Sequence, residues 1–258
     1  MKRLTVLLKI FCRDLVFFYT NIYITLSLLS PMKKLVISFG GSLILQEPMH
    51  VRFLEQFRRT LRRCYERYAF IVVCGGGSVA RQYMQALRAI HRSTYEQSLA
   101  GIHATRMNAL FLMQFFGKEA NDTLPLNMNK VKANLRKNRV VICGALRYIP
   151  ESTSDSTAAR LAAYFQSEFV NMTDTSGLYT ADPRTHPGAR LVRELTWEAF
   201  EHEALKNPYV PGQHFVLDQK AAVLIRKYRI PTHIIGPDVQ QLANIIKGKG
   251  FKGTLIRG

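Results

Sequence analysis

Three consecutive glycines, Gly75–Gly77, stand between a run of apolar residues and a helical pattern. Phe70–Cys74 is apolar and rich in β-branched residues, which is typical of a buried strand, and apolar side chains recur at helical spacing from Val79 onward. Glycines at such a junction let the backbone approach a ligand closely, and the first amides of the helix point toward it, which favours phosphate. The same glycines would also suit a tight turn that binds nothing.

A second junction of the same kind occurs earlier in the chain. Gly40-Gly41-Ser42 directly follows the strand-like run Leu35–Phe39. Because the carboxyl ends of parallel strands meet at one edge of a sheet, two strand–glycine junctions favour two phosphate-bearing groups meeting at that edge.

Composition excludes some classes of protein and leaves one rival open. The four cysteines, Cys12, Cys64, Cys74 and Cys143, lie far apart with no CxxC pair, so neither a zinc site nor a disulfide framework is indicated. The formal net charge of +18 makes a nucleic-acid binder a rival hypothesis. The basic residues are spread thinly and no nucleic-acid motif occurs, so we expect a basic solvated surface, no stable nucleic-acid partner and a cytoplasmic protein.

Residues 1–31 differ in composition from the rest of the chain. Leu15–Met32 carries no charge, which raises the possibility of a membrane anchor. Polar residues dilute this run, basic residues flank it on both sides, and a core strand is expected from Leu35 with no linker before it. We therefore expect 1–31 to be an atypical hydrophobic extension, a spurious stretch upstream of the natural start at Met32. We expect no membrane partner.

From Met32 onward, strand-like and helical patterns alternate. This alternation predicts an α/β fold, a three-layer αβα sandwich around a mostly parallel central sheet. The strand-like runs are 35–39, 70–74, 140–143, 169–173, 232–235 and 254–256. Residues 174–190 are rich in Asp, Thr, Pro and Gly, which suggests a β-hairpin over a site. We expect one domain, 32–258, that divides into two lobes near residue 165.

Five motifs in order carry a specific resemblance. They are Ile37–Ser42; Val73–Gly77 with Ala80-Arg81; Gly101–Ala109; Thr153-Ser154-Asp155 before a helix of small residues; and Thr173 with Gly177–Pro183. Together they resemble the amino-acid-kinase family, most closely the archaeal-type UMP kinases, over nearly the whole chain from Lys33 to Ile256. The resemblance implies that 32–165 is the acceptor-binding lobe and 166–258 the ATP-binding lobe.

The resemblance also implies roles for particular residues. Catalytic roles fall on Asp155, Arg81 and Gly41. The residues implied to bind ATP are Gly40, Gly41, Ser42, Gly77, Arg81, Thr173, Asp174, Tyr179 and Asp182. Those implied to bind the acceptor are Gly76, Ser98, Arg147, Thr153 and Ser154. Plainer roles stay open: Arg81 as a surface residue, Asp155 and Asp218 as helix caps, Tyr179 as a core residue and Asp182 as a turn former.

The chain departs from the family pattern mainly on the acceptor side. Ser38 stands where many members have a lysine that neutralises the transferred phosphoryl group, so Mg²⁺ with Arg81 or Lys34 would have to supply the positive charge. Ser98 stands where the archaeal enzymes have an acidic residue for the UMP ribose. The loop from Gly144 to Ser154 is longer than expected, and Arg147 takes the place of its usual Thr-His-Pro-Gly run.

We therefore expect a Mg²⁺-dependent kinase, a homo-oligomer and by resemblance a hexamer, that phosphorylates UMP to UDP with ATP. One alternative keeps the fold but takes a carboxylate, phosphonate or isoprenoid phosphate as acceptor. Arg147 facing the site would favour a phosphorylated acceptor, whereas an apolar lining would favour a lipid. A second alternative is a non-catalytic regulator that binds nucleotide or RNA, which one continuous basic face would support.

Overall fold

The computed structural model describes residues 32–206 and 217–258 of the chain. The expectations about residues 1–31 lie outside the described residues. The described strands are β1 Lys33–Phe39, β2 Tyr68–Cys74, β3 Val140–Cys143, β4 Glu168–Met172, β5 Glu194–Leu195, β6 Thr232–Ile235 and β7 Thr254–Ile256. The described helices are α1 Gly41–Ile44, α2 Val51–Arg62, α3 Gly77–Ala89, α4 Thr94–Phe116, α5 Met128–Leu135, α6 Ser154–Phe165, α7 Trp197–Leu205, α8 Gln219–Lys227 and α9 Val239–Ile246.

The seven strands form one sheet in the order β3-β2-β1-β4-β6-β7-β5. All pairings are parallel except that between β6 and β7. The sheet is continuous across residue 165, since β1 pairs with β2 on one side and with β4 on the other. The predicted α/β fold with a mostly parallel sheet is confirmed.

Helices cover both faces of the sheet because neighbouring strand residues point to opposite sides. Leu35, Ile37 and Phe39 of β1 pack in a core under α2, α4 and α9, whereas Val36 packs in a second core under α5, α6, α7 and α8. Both cores consist of residues almost wholly removed from solvent. This is the three-layer arrangement that the alternating pattern predicted. Within 32–206 and 217–258, no helix is both long and apolar enough to cross a membrane.

The segment 174–190 is a long loop that contains no regular strands, and its two ends pair with each other. Tyr179 and Leu191 form an isolated antiparallel bridge, and the amide of Thr180 donates to the carbonyl of Arg190 (3.0 Å). The expected hairpin is therefore reduced to this single bridge. The turn residues at the tip, such as Asp182-Pro183, keep the chain from continuing a ladder.

Candidate active site

The two glycine junctions pack directly against each other at the carboxyl edge of the sheet. A Cβ atom on Gly41 would lie 2.1 Å from the backbone nitrogen of Gly77, and one on Gly75 would lie 2.7 Å from the nitrogen of Gly41. Gly77 also has a positive φ of 66°, which side-chain-bearing residues rarely adopt. Only glycines permit this approach, and it brings the starts of α1 and α3 together.

Backbone and side-chain hydrogen bonds fix these turns to the strands. The amide of Gly40 donates to the carbonyl of Met172 (2.9 Å), and that of Gly75 donates to the carbonyl of Phe39 (2.9 Å). The buried Asn108 of α4 donates from Nδ2 to the carbonyl of Gly75 (2.7 Å). Sequence reasoning missed Asn108, although it lies in the Gly101–Ala109 motif.

A cavity of about 260 Å³ opens above the glycine turns. It brings together all of the predicted site residues except two. Those that line it are Gly40, Gly41, Ser42, Gly76, Gly77, Arg81, Ser98, Arg147, Thr153, Ser154, Asp155, Thr173 and Asp174. Ser38, Thr105, Asn171 and Arg184 also line it, and sequence reasoning had assigned a site role to none of them.

Asp155 lies at the start of α6 and faces the cavity. The hydroxyl of Ser38, 1% exposed at the end of β1, donates to its Oδ1 atom at 2.7 Å. Burial and, to a lesser extent, the nearby Asp218 carboxylate raise the pKa of the Asp155 carboxyl, and the Ser38 hydrogen bond opposes them; the net result is a pKa of about 7. The position for which the family resemblance implied a lysine thus holds a neutral donor to this carboxylate.

Asp218 ties the starts of two helices together. Its carboxylate caps α8 by accepting from the amide of Ala221 (2.7 Å), as a cap assignment predicts. It also accepts from the amides of Thr153 and Ser156, both at 3.1 Å, and from their hydroxyls. This buried residue therefore holds in place the first turn of α6, where Asp155 lies.

The loop after β3 is held by α4. The amide of Ala145 donates to Oγ1 of Thr105 (2.9 Å). Arg106 donates from Nε to the carbonyl of Ala145 (3.2 Å) and from Nη2 to that of Leu146 (2.9 Å). These contacts position the next residue, Arg147, whose exposed side chain lines the cavity.

Tyr179 and Asp182 lie outside the cavity lining. Asp182 instead accepts from the backbone amide of Arg184 (3.0 Å) and from its guanidinium, with Nε and Nη2 both 3.1 Å from the carboxylate. Arg184 lines the cavity, so the structure connects Asp182 to the site through Arg184. Lys34, proposed as a replacement cation, is exposed on β1 and does not line the cavity either.

Comparisons with known proteins agree with this geometry. The model of the amino acid kinase family matches residues 33–236. The uridylate kinase of Thermococcus sibiricus is 32% identical over 225 residues, which cover 86% of this chain and 99% of that protein. The crystal structure of uridylate kinase from Archaeoglobus fulgidus is similar with a TM-score of 0.74 and 29% identity, over 86% of this chain and 99% of that one. The UMP kinase from Ureaplasma parvum, 19% identical with a TM-score of 0.72 over 89% of this chain and 100% of its own, shares the fold.

Proposed function

Since the chain belongs to the amino acid kinase family, we propose that it transfers the γ-phosphoryl group of ATP to UMP, giving UDP. The observation that carries this proposal is the interlocked pair of glycine turns at Gly41 and Gly77, which lies below a cavity bordered by Asp155. Two helix starts with bare backbone amides suit two phosphate groups that react directly with each other. The uridylate kinases that cover nearly the same length support UMP as the acceptor.

On the ATP side, the β- and γ-phosphates would lie over Gly40-Gly41-Ser42 and Gly77. Backbone amides there would compensate the charge that develops on the transferred group, without having to reorganise. Thr173, Asp174 and the predicted Tyr179 would bind the rest of the nucleotide, from the end of β4 and the segment that follows. Transfer in line between two bound phosphates needs no covalent enzyme intermediate.

Mg²⁺ fits the donors that are present. Mg²⁺ in kinase sites is usually bound by one or two carboxylates together with the substrate's phosphates, rather than by a cage of protein ligands. Within the described part of the chain, no group of three or more His, Cys, Asp or Glu side chains could hold a metal. Asp155, oriented by Ser38, is the carboxylate that would hold the ion with the phosphates, and the ion would neutralise their charge.

On the acceptor side, Gly76, Ser98, Thr153 and Ser154 line the cavity, and Arg147 supplies a positive charge. A guanidinium at this place favours a phosphorylated acceptor, because its planar fork matches two phosphate oxygens. Gly76 would place the acceptor's phosphate against the amides at the start of α3, because the amides of Thr153 and Ser156 at the start of α6 already donate to Asp218.

Three guanidinium groups would replace the missing lysine as sources of positive charge. Arg81, Arg147 and Arg184 all line the cavity. We assign Arg81 and Arg184 to the ATP phosphates and Arg147 to the acceptor, because Arg81 follows the Gly77 turn on α3 and Arg184 lies in the segment after β4.

A coupled assay of ADP release tests this function with purified full-length protein. UMP, CMP, dTMP and acceptors bearing a carboxylate, phosphonate or isoprenoid phosphate are compared at equal concentration with Mg²⁺ and ATP. UMP should give the highest kcat/KM. If a non-nucleotide acceptor gives the highest kcat/KM, the protein is still a kinase but UMP is not its substrate. If no acceptor is turned over, a non-catalytic nucleotide-binding protein is favoured.

Two further expectations are part of this proposal. The acceptor lobe is assigned to 32–165 and the ATP lobe to 166–258, and the protein is proposed to form a homo-oligomer in the cytoplasm, a hexamer by family resemblance. Light scattering on the purified protein would give the number of copies.

A further inference from the structure

A second cavity of about 250 Å³ lies beside the first, on the α5 and α6 side of the sheet. Arg147 lines both cavities, so it lies where they adjoin. Arg160 of α6 lines the second cavity but not the first. The second cavity is therefore a separate space with a charged residue of its own.

The two arginines form a cation pair without a carboxylate partner. Neither Arg147 nor Arg160 makes an ion pair with any residue in 32–206 or 217–258. Burial lowers the pKa of Arg160, the charge of Arg147 lowers it further, and Asp218 only partly offsets them. The Asp218 oxygens already accept from the starts of α6 and α8. Among the described residues, the positive charge in this cavity is thus only partly compensated, by Asp218.

Two more features of the lining suit an anion attached to an organic group. Asn127 caps α5 by accepting from the amide of Lys130 (2.9 Å), so the amides of the first turn lie at the cavity. The N-terminal end of a helix attracts negative charge, which adds to that of the arginines. Leu146 and Ile149 also line the cavity and supply apolar surface.

We propose that the second cavity is a binding site for a phosphate-bearing anion, held between Arg147 and Arg160. Two guanidinium groups from different elements offer forked donors to phosphate oxygens, a strong and geometrically specific hydrogen-bonding arrangement. The anion lies outside the glycine-lined cavity, so this site is additional to those for the two reacting phosphates. The proposal does not depend on which acceptor the enzyme uses.

Isothermal titration with inorganic phosphate tests the site in the full-length protein without substrates. The wild type is compared with Arg160→Gln and with Arg136→Gln, a matched control that removes the same charge from an exposed position outside both cavities. Arg160→Gln should weaken one class of phosphate site by about ten- to a hundred-fold, as for the loss of a charged hydrogen bond. Arg136→Gln should bind phosphate like the wild type.

Equal binding by the wild type and Arg160→Gln would overturn the proposal, as would equal losses in Arg160→Gln and Arg136→Gln. If Arg160→Gln fails to fold, Arg160→Lys keeps the test open, and it should weaken the same class of site. Ribose 5-phosphate identifies the source of the phosphate. Tighter Arg160-dependent binding than that of inorganic phosphate would indicate an organic phosphate resting on Leu146 and Ile149, and equal binding would indicate the free ion. Kinase activity, assayed separately, has no bearing on this outcome.

Discussion

Ser38 and Asp155, 117 residues apart in the sequence, meet through a 2.7 Å hydrogen bond at the floor of the cavity. The donor is a neutral hydroxyl at the position for which the family resemblance implied a lysine. A hydroxyl stabilises a carboxylate less than an ammonium group does, and burial therefore prevails and raises the pKa of Asp155 to about 7. The protonation of Asp155 consequently changes near neutral pH, where a kinase works.

The first prediction concerns the pH dependence of catalysis. The ionised form of Asp155 is the one that would hold Mg²⁺, so kcat/KM for ATP should rise with pH up to about 7 and level off above it. Ser38→Ala removes the hydrogen bond that favours the ionised form. Its pH profile should therefore shift upward by about one pH unit or more. Because the substrates titrate identically in both proteins, the difference between the two profiles isolates Asp155, and coincident profiles would contradict the prediction.

The second prediction concerns Asp155→Asn, which keeps the shape of the side chain and removes its charge. We expect kcat to fall by roughly 10²-fold or more, the scale seen when one preorganised electrostatic group is lost. Full activity in this variant would reduce Asp155 to a structural residue at the helix start. Stability supplies an independent readout. The raised pKa means that the folded wild type loses stability as pH rises from about 4 to 7, because the unfolded chain releases the proton first. The Tm of Asp155→Asn relative to the wild type should therefore increase over this range.

The third prediction concerns the interlocked glycine turns. A Cβ on Gly41 would meet the backbone of Gly75–Gly77, which cannot yield as the end of a flexible side chain can. Gly41→Ala should lower the Tm by several degrees and abolish most of the activity, since the turn must separate from its neighbour. Gly188→Ala is the control, because no atom lies within 4 Å of its added Cβ. The control should match the wild type, and equal Tm values for Gly41→Ala and the control would show that the turns are not tightly packed.

Much of the fold could be predicted from the sequence because its signals are local. The run Phe70–Cys74 is apolar on both faces, which a strand buried between two helical layers requires. The glycine junctions at Gly40 and Gly75 mark where two such strands end. Boundaries shifted by a few residues, as for α6, which begins at Ser154, within the Thr153-Ser154-Asp155 motif that was predicted to precede it.

The remaining site residues could not be predicted because their partners are remote in the sequence. Nothing near Ser38 indicates that its hydroxyl reaches Asp155, and nothing near Asn108 indicates that it binds the carbonyl of Gly75. Arg184 belongs to a segment whose path over the cavity depends on how its ends pair. For Asp182, the family motif pointed to the right segment but not to the side chain that faces the cavity.

The fourth prediction concerns Arg184 and Asp182. Arg184→Gln should raise the KM for ATP by about ten-fold or more, if its guanidinium contacts the phosphates as proposed. Asp182→Ala should have a smaller effect, because solvent screens an exposed ion pair of this kind and Asp182 here serves to orient Arg184. In the Arg184→Gln/Asp182→Ala double variant, the Asp182 change should then cause no further rise in the KM for ATP. A further loss there would show that Asp182 contacts the nucleotide by itself.

The last prediction concerns the acceptor. Arg147→Ala should raise the KM for UMP by about ten- to a hundred-fold, corresponding to the roughly 1.5–3 kcal/mol of a charged hydrogen bond, and leave the KM for ATP unchanged. Arg147→Lys should recover only part of the affinity, because a point charge cannot reproduce the planar fork. Arg136→Gln is the matched control, since it removes the same charge from an exposed position outside both cavities. Equal changes for both substrates in Arg147→Ala, or none for either, would mean that another group binds the acceptor phosphate. The start of α3, with Gly76, would then be the next group to test.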